Sequence, residues 1–340
     1  MSATIEDVAR RAKVSVATVS RALRGLPNVA PSTRARVLAA AEELHYVADP
    51  YASRLAAGRR HAIGFVVPML GQWFFAKLFS GVEGVLAAAG YEVLPFPLSG
   101  PGGADEFLAA LPFRKRVDGL VVAEAPFTGE HLERIARGGV PFVTLGLRST
   151  FGPSLVIDNV GAARLAVGHL TGLGHRRIAI IGPLDDDPFH FSVPVERHKG
   201  YREALETAGV ELDDDLVVPG NFSLEGGAEA MQTLLAHPEP PTAVFACSDE
   251  MAIGAMQVAR DAGLEVPEDL SVVGFDDHDV SEYIGLTTIR QDVIGQGERV
   301  SRLLLALLDG GSEPDTHEVY PTRLVVRHTT ARPRSVRSLR

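Results

Sequence analysis

Apolar and polar positions near the N-terminus alternate with a helical period over residues 4–23, and they predict two short helices joined by a tight turn. Thr4 followed by Asp7 has the form of a capping box, which starts a first helix over 5–12. Ser15 is placed to cap a second helix. Its Val19, Ala22 and Leu23 make an inward face, and Val16, Ala17, Ser20 and Arg21 are left outward. Small Ala9 allows the helices to cross closely. A helix that offers short side chains and an arginine suits the major groove of DNA, while a plain αα-hairpin is the alternative on pattern alone. After a turn over 25–28, Pro31 suits a third helix. Its stripe Val37, Leu38, Ala41 and Leu44, ending near 45, would close a three-helix core. Asp49-Pro50 then begins a short helix over 51–57 that stops at Gly58, a length marginal alone in water.

From residue 61 the period changes. Short apolar runs at 63–67, 91–96, 119–123 and 142–145 alternate with helical stretches at 75–89 and 104–111. A second series has runs at 178–181, 216–218, 243–246 and 272–275, with helices at 162–172, 197–208, 226–236 and 252–262. This is the rhythm of parallel sheets in two tandem α/β units. Gly100-Pro101-Gly102-Gly103 is interrupted by proline and reads as a surface loop, so no phosphate-binding loop is expected.

Length and charge sharpen this picture. A chain of 340 residues with 46% hydrophobic content predicts two or three domains. Residues 1–60 hold ten Lys/Arg against five acids, a charge of +5 that leaves −15 on the remainder of a chain whose total is −10. The head is thus suited to phosphate contacts and the body is not. Cys247 stands alone, which excludes an internal disulfide or a cysteine-rich zinc site. No signal-like apolar core or spanning segment is apparent, so a cytoplasmic protein without membrane association is expected. Asp185-Asp186-Asp187 and Asp213-Asp214-Asp215 lack the spaced glycine and glutamate of a calcium loop and read as solvated turns; neither a metal nor a cofactor is expected. The arginine-rich segment 331–340 reads as a disordered tail.

The run TIEDVARRAKVSVATVSRAL at 4–23 closely resembles the N-terminus of the lac repressor/purine repressor (LacI) family of bacterial transcription regulators. The likeness continues at Val117-Asp118-Gly119, Val156-Ile157-Asp158-Asn159, Ser248-Asp249-Glu250-Met251-Ala252, Val273-Gly274-Phe275-Asp276-Asp277 and Leu286-Thr287-Thr288-Ile289-Arg290-Gln291. It implies an N-terminal helix-turn-helix domain over 1–48 and a hinge helix and linker over 49–60. An effector-binding and dimerisation domain over 61–330 would follow, similar to periplasmic sugar-binding proteins. Its N-terminal subdomain would take 61–159 and 290–320, its C-terminal subdomain 160–289 and 321–330, with crossovers near Asp158, 288–291 and 320–322.

The resemblance also implies partners: a palindromic double-stranded DNA operator, a second copy of the chain with a tetramer as the alternative, and a small-molecule effector. A sugar leads, with purines and other metabolites as alternatives. DNA contacts are expected from Thr4, Ser15, Val16, Ala17, Thr18, Ser20, Arg21 and Asn28, and from Tyr51, Arg54 and Leu55 of the hinge. Leu55 holds the position of a leucine that wedges into the minor groove. Effector contacts are expected from Trp73, Phe74, Arg197, Phe222, Asp249 and Asp276. Aromatic faces suit sugar rings, and an arginine with an opposing carboxylate suits hydroxyls.

Several positions depart from the family pattern. Gln72-Trp73-Phe74-Phe75 replaces Asn-Pro-Phe-Phe, Ala30 replaces a capping serine, Ser53 replaces an arginine, and Ser248 stands where asparagine is common. The loop 185–191 is peculiar to this chain and is expected to help set ligand identity. Two rival functions are a transport binding protein, which the basic head disfavours, and an enzyme using Cys247, His190 or paired acids, for which the family supplies no catalytic residue.

Overall fold

The computed structural model describes residues 3–23, 25–46, 60–98, 100, 102–182, 192–311 and 316–334. They fall into two units, Met1–His61 and Ala62–Arg340. Tyr51, Arg54, Leu55 and the loop 185–191 lie outside the described residues.

The first unit is built of α1 (Ile5–Ala12), α2 (Val16–Leu23) and α3 (Pro31–Glu43). Its core is small-sided: Val8, Ala9, Ala12, Val19, Ala22, Val29, Val37, Ala40 and Ala41 are buried together. The expected stripe of α3 needs one correction, since Leu38 is 49% exposed. A helical period places Ala40, Ala41 and the partly buried Leu44 in line with Val37, one step round from Leu38. Arg11 pairs with Glu43 at 2.7 Å and ties α1 to α3. No side chain caps α3 at Ala30.

The second unit alternates strands and helices. Its first half runs β1 (Ala62–Val67), α4 (Trp73–Ala88), β2 (Glu92–Pro97), α5 (Gly103–Ala110), β3 (Gly119–Ala123), α6 (Gly129–Arg137), β4 (Phe142–Leu145) and β5 (Ser154–Ile157). Next come α7 (Asn159–Leu173), β6 (Ile178–Ile181), α8 (Ser192–Thr207), β7 (Val217–Val218), α9 (Leu224–Leu235), β8 (Ala243–Ala246), α10 (Asp249–Asp261), β9 (Ser271–Asp276) and β10 (Thr287–Arg290). The chain closes with α11 (Val293–Leu308), β11 (His317–Tyr320) and β12 (Arg323–Val325).

Two six-stranded sheets result, ordered β11-β5-β4-β3-β1-β2 and β12-β10-β9-β8-β6-β7. Every pairing is parallel except β10 with β12. β1, β3, β4, β5, β6 and β8 are buried throughout, as parallel strands covered by helices on both faces must be. The chain passes between the sheets three times, after Ile157, after Arg290 and after Tyr320.

Helices α6 and α11 and strands β5, β10, β11 and β12 are not predicted by the periodicity. Gly295 and Gly297 break the apolar run of α11, yet they permit its contact with α4. A Cβ on Gly297 would lie 2.5 Å from the Leu78 carbonyl oxygen, and one on Gly81 2.2 Å from that of Ile294. The tail also needs correction: 331–334 are docked. The Ala331 carbonyl shares a hydrogen bond with buried His175 at 2.9 Å, and Arg334 pairs with Asp269. Residues 335–340 lie outside the described set.

Candidate nucleic-acid interface and ligand cleft

Local hydrogen bonds shape the N-terminal unit. Thr4 Oγ1 accepts from the Asp7 amide at 3.3 Å and the Asp7 carboxylate accepts from the Thr4 amide at 2.9 Å, the reciprocal box that starts α1. These bonds and Arg10 hold the Asp7 carboxyl below its ordinary value. Lys13 ends α1 in the left-handed region, φ 54°, which turns the chain sharply into α2. Ser15 Oγ accepts from the Thr18 amide at 3.2 Å and lies 2.9 Å from the Thr18 hydroxyl. Thr4 and Thr18 therefore use their hydroxyls in capping. The outward face of α2 keeps Val16 (40% exposed), Ala17 and Arg21 in solvent, with Ser20 half-buried beside them and Asn28 exposed in the turn before α3. Small apolar groups and one guanidinium on one face are what thymine methyls, guanine edges and phosphates require.

The second site lies where the carboxyl ends of the two sheets meet, the place where open α/β sheets bind ligands. Arg197 on α8 is buried there. Its Nε donates to Asn159 Oδ1 at 3.0 Å, another nitrogen donates to the Cys247 carbonyl, and its guanidinium lies 3.5 Å from the centroid of Phe275. Burial lowers the Arg197 pKa, against which Asp276, Glu124 and Glu196 act. Asn159 also donates to Glu196 at 2.9 Å.

Asp276 ends β9 with φ 118°, followed by Asp277 with φ 59°. Two consecutive non-glycine residues in this region are strained, and such strain concentrates at ligand sites. Gln291 donates to Asp276, and Arg327 pairs with Asp277 at 2.7 Å. Burial pushes Asp276 up to about 8, with Asp249 adding to the rise and Arg197 opposing it.

Asp249 is placed otherwise than its sequence position suggested. It is fully buried, and both oxygens are committed within the protein. Oδ2 accepts from the His278 amide at 2.7 Å and from Ser281 Oγ at 2.6 Å, and Oδ1 accepts from Thr288 Oγ1 at 2.6 Å. It anchors the loop after β9 through these three hydrogen bonds. Burial raises it to about 7.

The aromatic residues divide their work. Trp73, the first residue of α4, stacks on His278 with centroids 4.5 Å apart and donates to Asp279 at 3.1 Å. Lys77, one turn on, pairs with Asp279 at 2.7 Å, and Gln72 donates to the Phe222 carbonyl at 3.2 Å. One face of Trp73 is thus taken by a contact between subdomains. Phe74 meets Phe75 edge-on and packs on the core of the first sheet, and the half-buried Phe222 packs on that of the second. A cavity of about 270 Å³ opens beside Trp73, Asp276, His278, Arg290 and Val293.

Sequence reasoning missed Glu124. It follows β3 with φ 46°, and burial raises it to about 7 while Arg197 opposes and Glu196 adds to the rise. A polar residue closing the apolar run 119–123 was the available signal.

Comparison with known proteins gives this architecture its family. Residues 4–49 match the model for "Bacterial regulatory proteins, lacI family", and 167–330 match the "Periplasmic binding protein-like domain". Catabolite control protein A of Priestia megaterium is 34% identical over 334 residues, covering 97% of this chain and 100% of that protein. The chain belongs to the LacI family of bacterial transcription regulators. As a LacI-family member it is a ligand-responsive, DNA-binding regulator with a helix-turn-helix head and a periplasmic-binding-protein-like body. Among solved structures, the lac repressor dimer bound to operator and the anti-inducer ONPF superposes with a TM-score of 0.85 at 29% identity, over 97% of this chain and 100% of that one. The complex of the regulator CelR with cellobiose gives a TM-score of 0.71 at 32% identity, over 96% and 99%. Among the described residues of this chain, no helix is long and apolar enough to cross a membrane and no cluster of His, Cys, Asp or Glu is arranged to hold a metal.

Proposed function

We propose that this LacI-family regulator is a cytoplasmic, non-enzymatic repressor of carbohydrate-utilisation genes that binds a palindromic operator as a homodimer. A sugar in the cleft alters its operator affinity. The observation that carries the reading is the buried Arg197 with Asp276 opposite, placed between two sheets in a chain whose head carries an exposed recognition face. In this reading Val16 and Ala17 meet base edges and methyl groups, Ser15, Ser20 and Asn28 reach phosphates or bases, and Arg21 reads guanine or holds phosphate. Leu55, with Tyr51 and Arg54, acts in the hinge. Domain boundaries at 48, 60 and 330 follow the same scheme. Arg197 and Asp276 bind hydroxyls, while Trp73, Phe74 and Phe222 supply apolar walls. The sugar assignment draws on CelR, a relative whose structure holds cellobiose.

Coupling needs a ligand that binds two arrangements unequally. Contacts from Trp73, Lys77 and Gln72 across to the second subdomain are suited to differ between them.

Selecting genomic fragments with the purified protein, with and without a sugar panel, tests the proposal. Enrichment of a palindrome that changes with one sugar is the expected result, since two-fold DNA symmetry mirrors a dimer. Enrichment that no sugar alters, while another metabolite class does, would overturn the carbohydrate assignment alone. No enrichment under any condition would overturn the operator assignment.

A further inference from the structure

Two side-chain amides link the subdomains at the crossover after β10. Asp276 ends β9 in the second subdomain, and Gln291 stands in the crossover itself. Gln296 lies in the first turn of α11, which packs on the core of the first sheet. Gln291 donates from Nε2 to Asp276 Oδ1. Gln296 donates from Nε2 to the backbone carbonyl of Gln291 and, at 3.1 Å, to its side-chain Oε1. Both glutamines are 2% exposed.

The direction of these bonds is forced from the α11 end. A backbone carbonyl only accepts, so Gln296 must present its NH2 group; Gln291 must then turn Oε1 toward it and Nε2 toward Asp276. Oδ1 of Asp276 is thereby held as an acceptor, and a proton on this carboxyl group sits on Oδ2. Reversing the Gln291 amide would set two NH2 groups against each other in a buried place, where an unmet donor is costly. The crossover is fastened a second time. Asp292 caps α11 by accepting from the Gly295 amide at 3.2 Å, and Tyr320, at the third crossover, donates to Asp292 at 3.3 Å. α11 in turn approaches α4 closely at Gly297 and Gly81. A change at Asp276 therefore meets a braced segment rather than a loose loop.

We propose that Gln291 and Gln296 are positioning residues: they form a one-way relay that holds Asp276 Oδ1 as an acceptor and carries a change at Asp276 through the crossover to α11. The transmission half rests on the carbohydrate reading of the cleft, and the positioning half does not.

Carbon-13 NMR of the full chain, labelled in its aspartate carboxyl groups, tests the positioning half without sugar or DNA, and Asp276→Asn identifies the signal. Arg197, Asp249 and Glu250 also act on Asp276 and are the same in the glutamine variants. Gln291→Leu removes the donor and should raise the titration midpoint of Asp276 by about 1 pH unit. Gln296→Leu, at a residue whose bonds go to Gln291, frees the Gln291 amide to turn and should raise the midpoint by about 0.5. Melting curves establish folding, and Gln296→Met takes the place of a leucine variant that does not fold. A packing role alone for Gln296 would lower the melting temperature and leave the Asp276 midpoint within about 0.1 of wild type, which would overturn the relay. An unmoved midpoint in Gln291→Leu would do the same.

For the transmission half, operator binding is followed by fluorescence anisotropy with the fragment and the sugar that genomic selection yields. The change in operator affinity produced by saturating sugar should be at least about fivefold smaller in Gln296→Leu than in wild type. A change of full size would overturn transmission. If selection yields no sugar, transmission falls with the carbohydrate reading, and the positioning of Asp276 stands or falls by its midpoint alone.

Discussion

The helix-turn-helix unit and the ligand cleft use polar groups in opposite ways. In the head, Thr4, Asp7, Ser15 and Thr18 bond to neighbours within three residues and leave the outward face of α2 to solvent. In the cleft, Arg197, Asp249 and Asp276 bond to groups 15 to 50 residues away. A reading surface is therefore prepared by short-range geometry and a binding cleft by tertiary packing. Damage to the first should remain local, and damage to the second should reach stability.

The sharpest test of that contrast is Asp249→Ala. Three buried donors would lose their acceptor, and a loss of about 2–4 kcal/mol in unfolding free energy is expected from denaturant titration. A loss below about 0.5 kcal/mol, the range of ordinary surface changes, would show that the loop after β9 does not depend on it.

Arg21→Ala should act on the other side of the comparison. Operator affinity is expected to fall by about 1–3 kcal/mol, with relaxed base preference and unchanged effector affinity, as read by fluorescence anisotropy and calorimetry. Unchanged operator binding would remove Arg21 from the reading face.

The pH dependence of stability separates the units in a subtler way. Glu124 and Asp276 are raised by burial to about 7 and about 8, so the folded chain retains protons that the unfolded chain releases above about pH 4. Their ionisation penalty is absent below that point, grows as pH rises and is complete above about 8. Unfolding midpoints of the isolated body should thus fall between pH 5 and about 8.5, and Glu124→Gln and Asp276→Asn should each flatten the slope. A slope unaffected by either substitution would contradict the buried placement.

The smallest effect belongs to a cap. Ser15→Ala should cost about 1 kcal/mol of stability in the head, measured on a fragment or by local hydrogen exchange, and leave the cleft unaffected. An effect on sugar binding would break the proposed independence of the two sites.

Much of this was readable before any tertiary contact was known, because its causes lie within a few residues. The box of Thr4 and Asp7, the Ser15 cap and the buried Val19 and Ala22 follow from spacing along one helix. The long apolar strands follow from burial on both faces. Leu38 shows the limit even there, since an apolar residue one helical step off the stripe is indistinguishable from a core residue until the partner helices are placed.

Tertiary structure decided the remainder. Which residues at the strand ends face a ligand depends on what else reaches them. Asp249 looked available and is consumed by His278, Ser281 and Thr288, while Glu124 looked unremarkable and acquires its place because Gly146, 22 positions later, lacks a side chain. Trp73 is drawn toward His278 and Asp279 by chain folding over more than 200 residues. Periodicity and capping are encoded locally because backbone geometry repeats every few residues. Desolvation and charge pairing depend on distances in space, and those exist only once the two sheets have packed together.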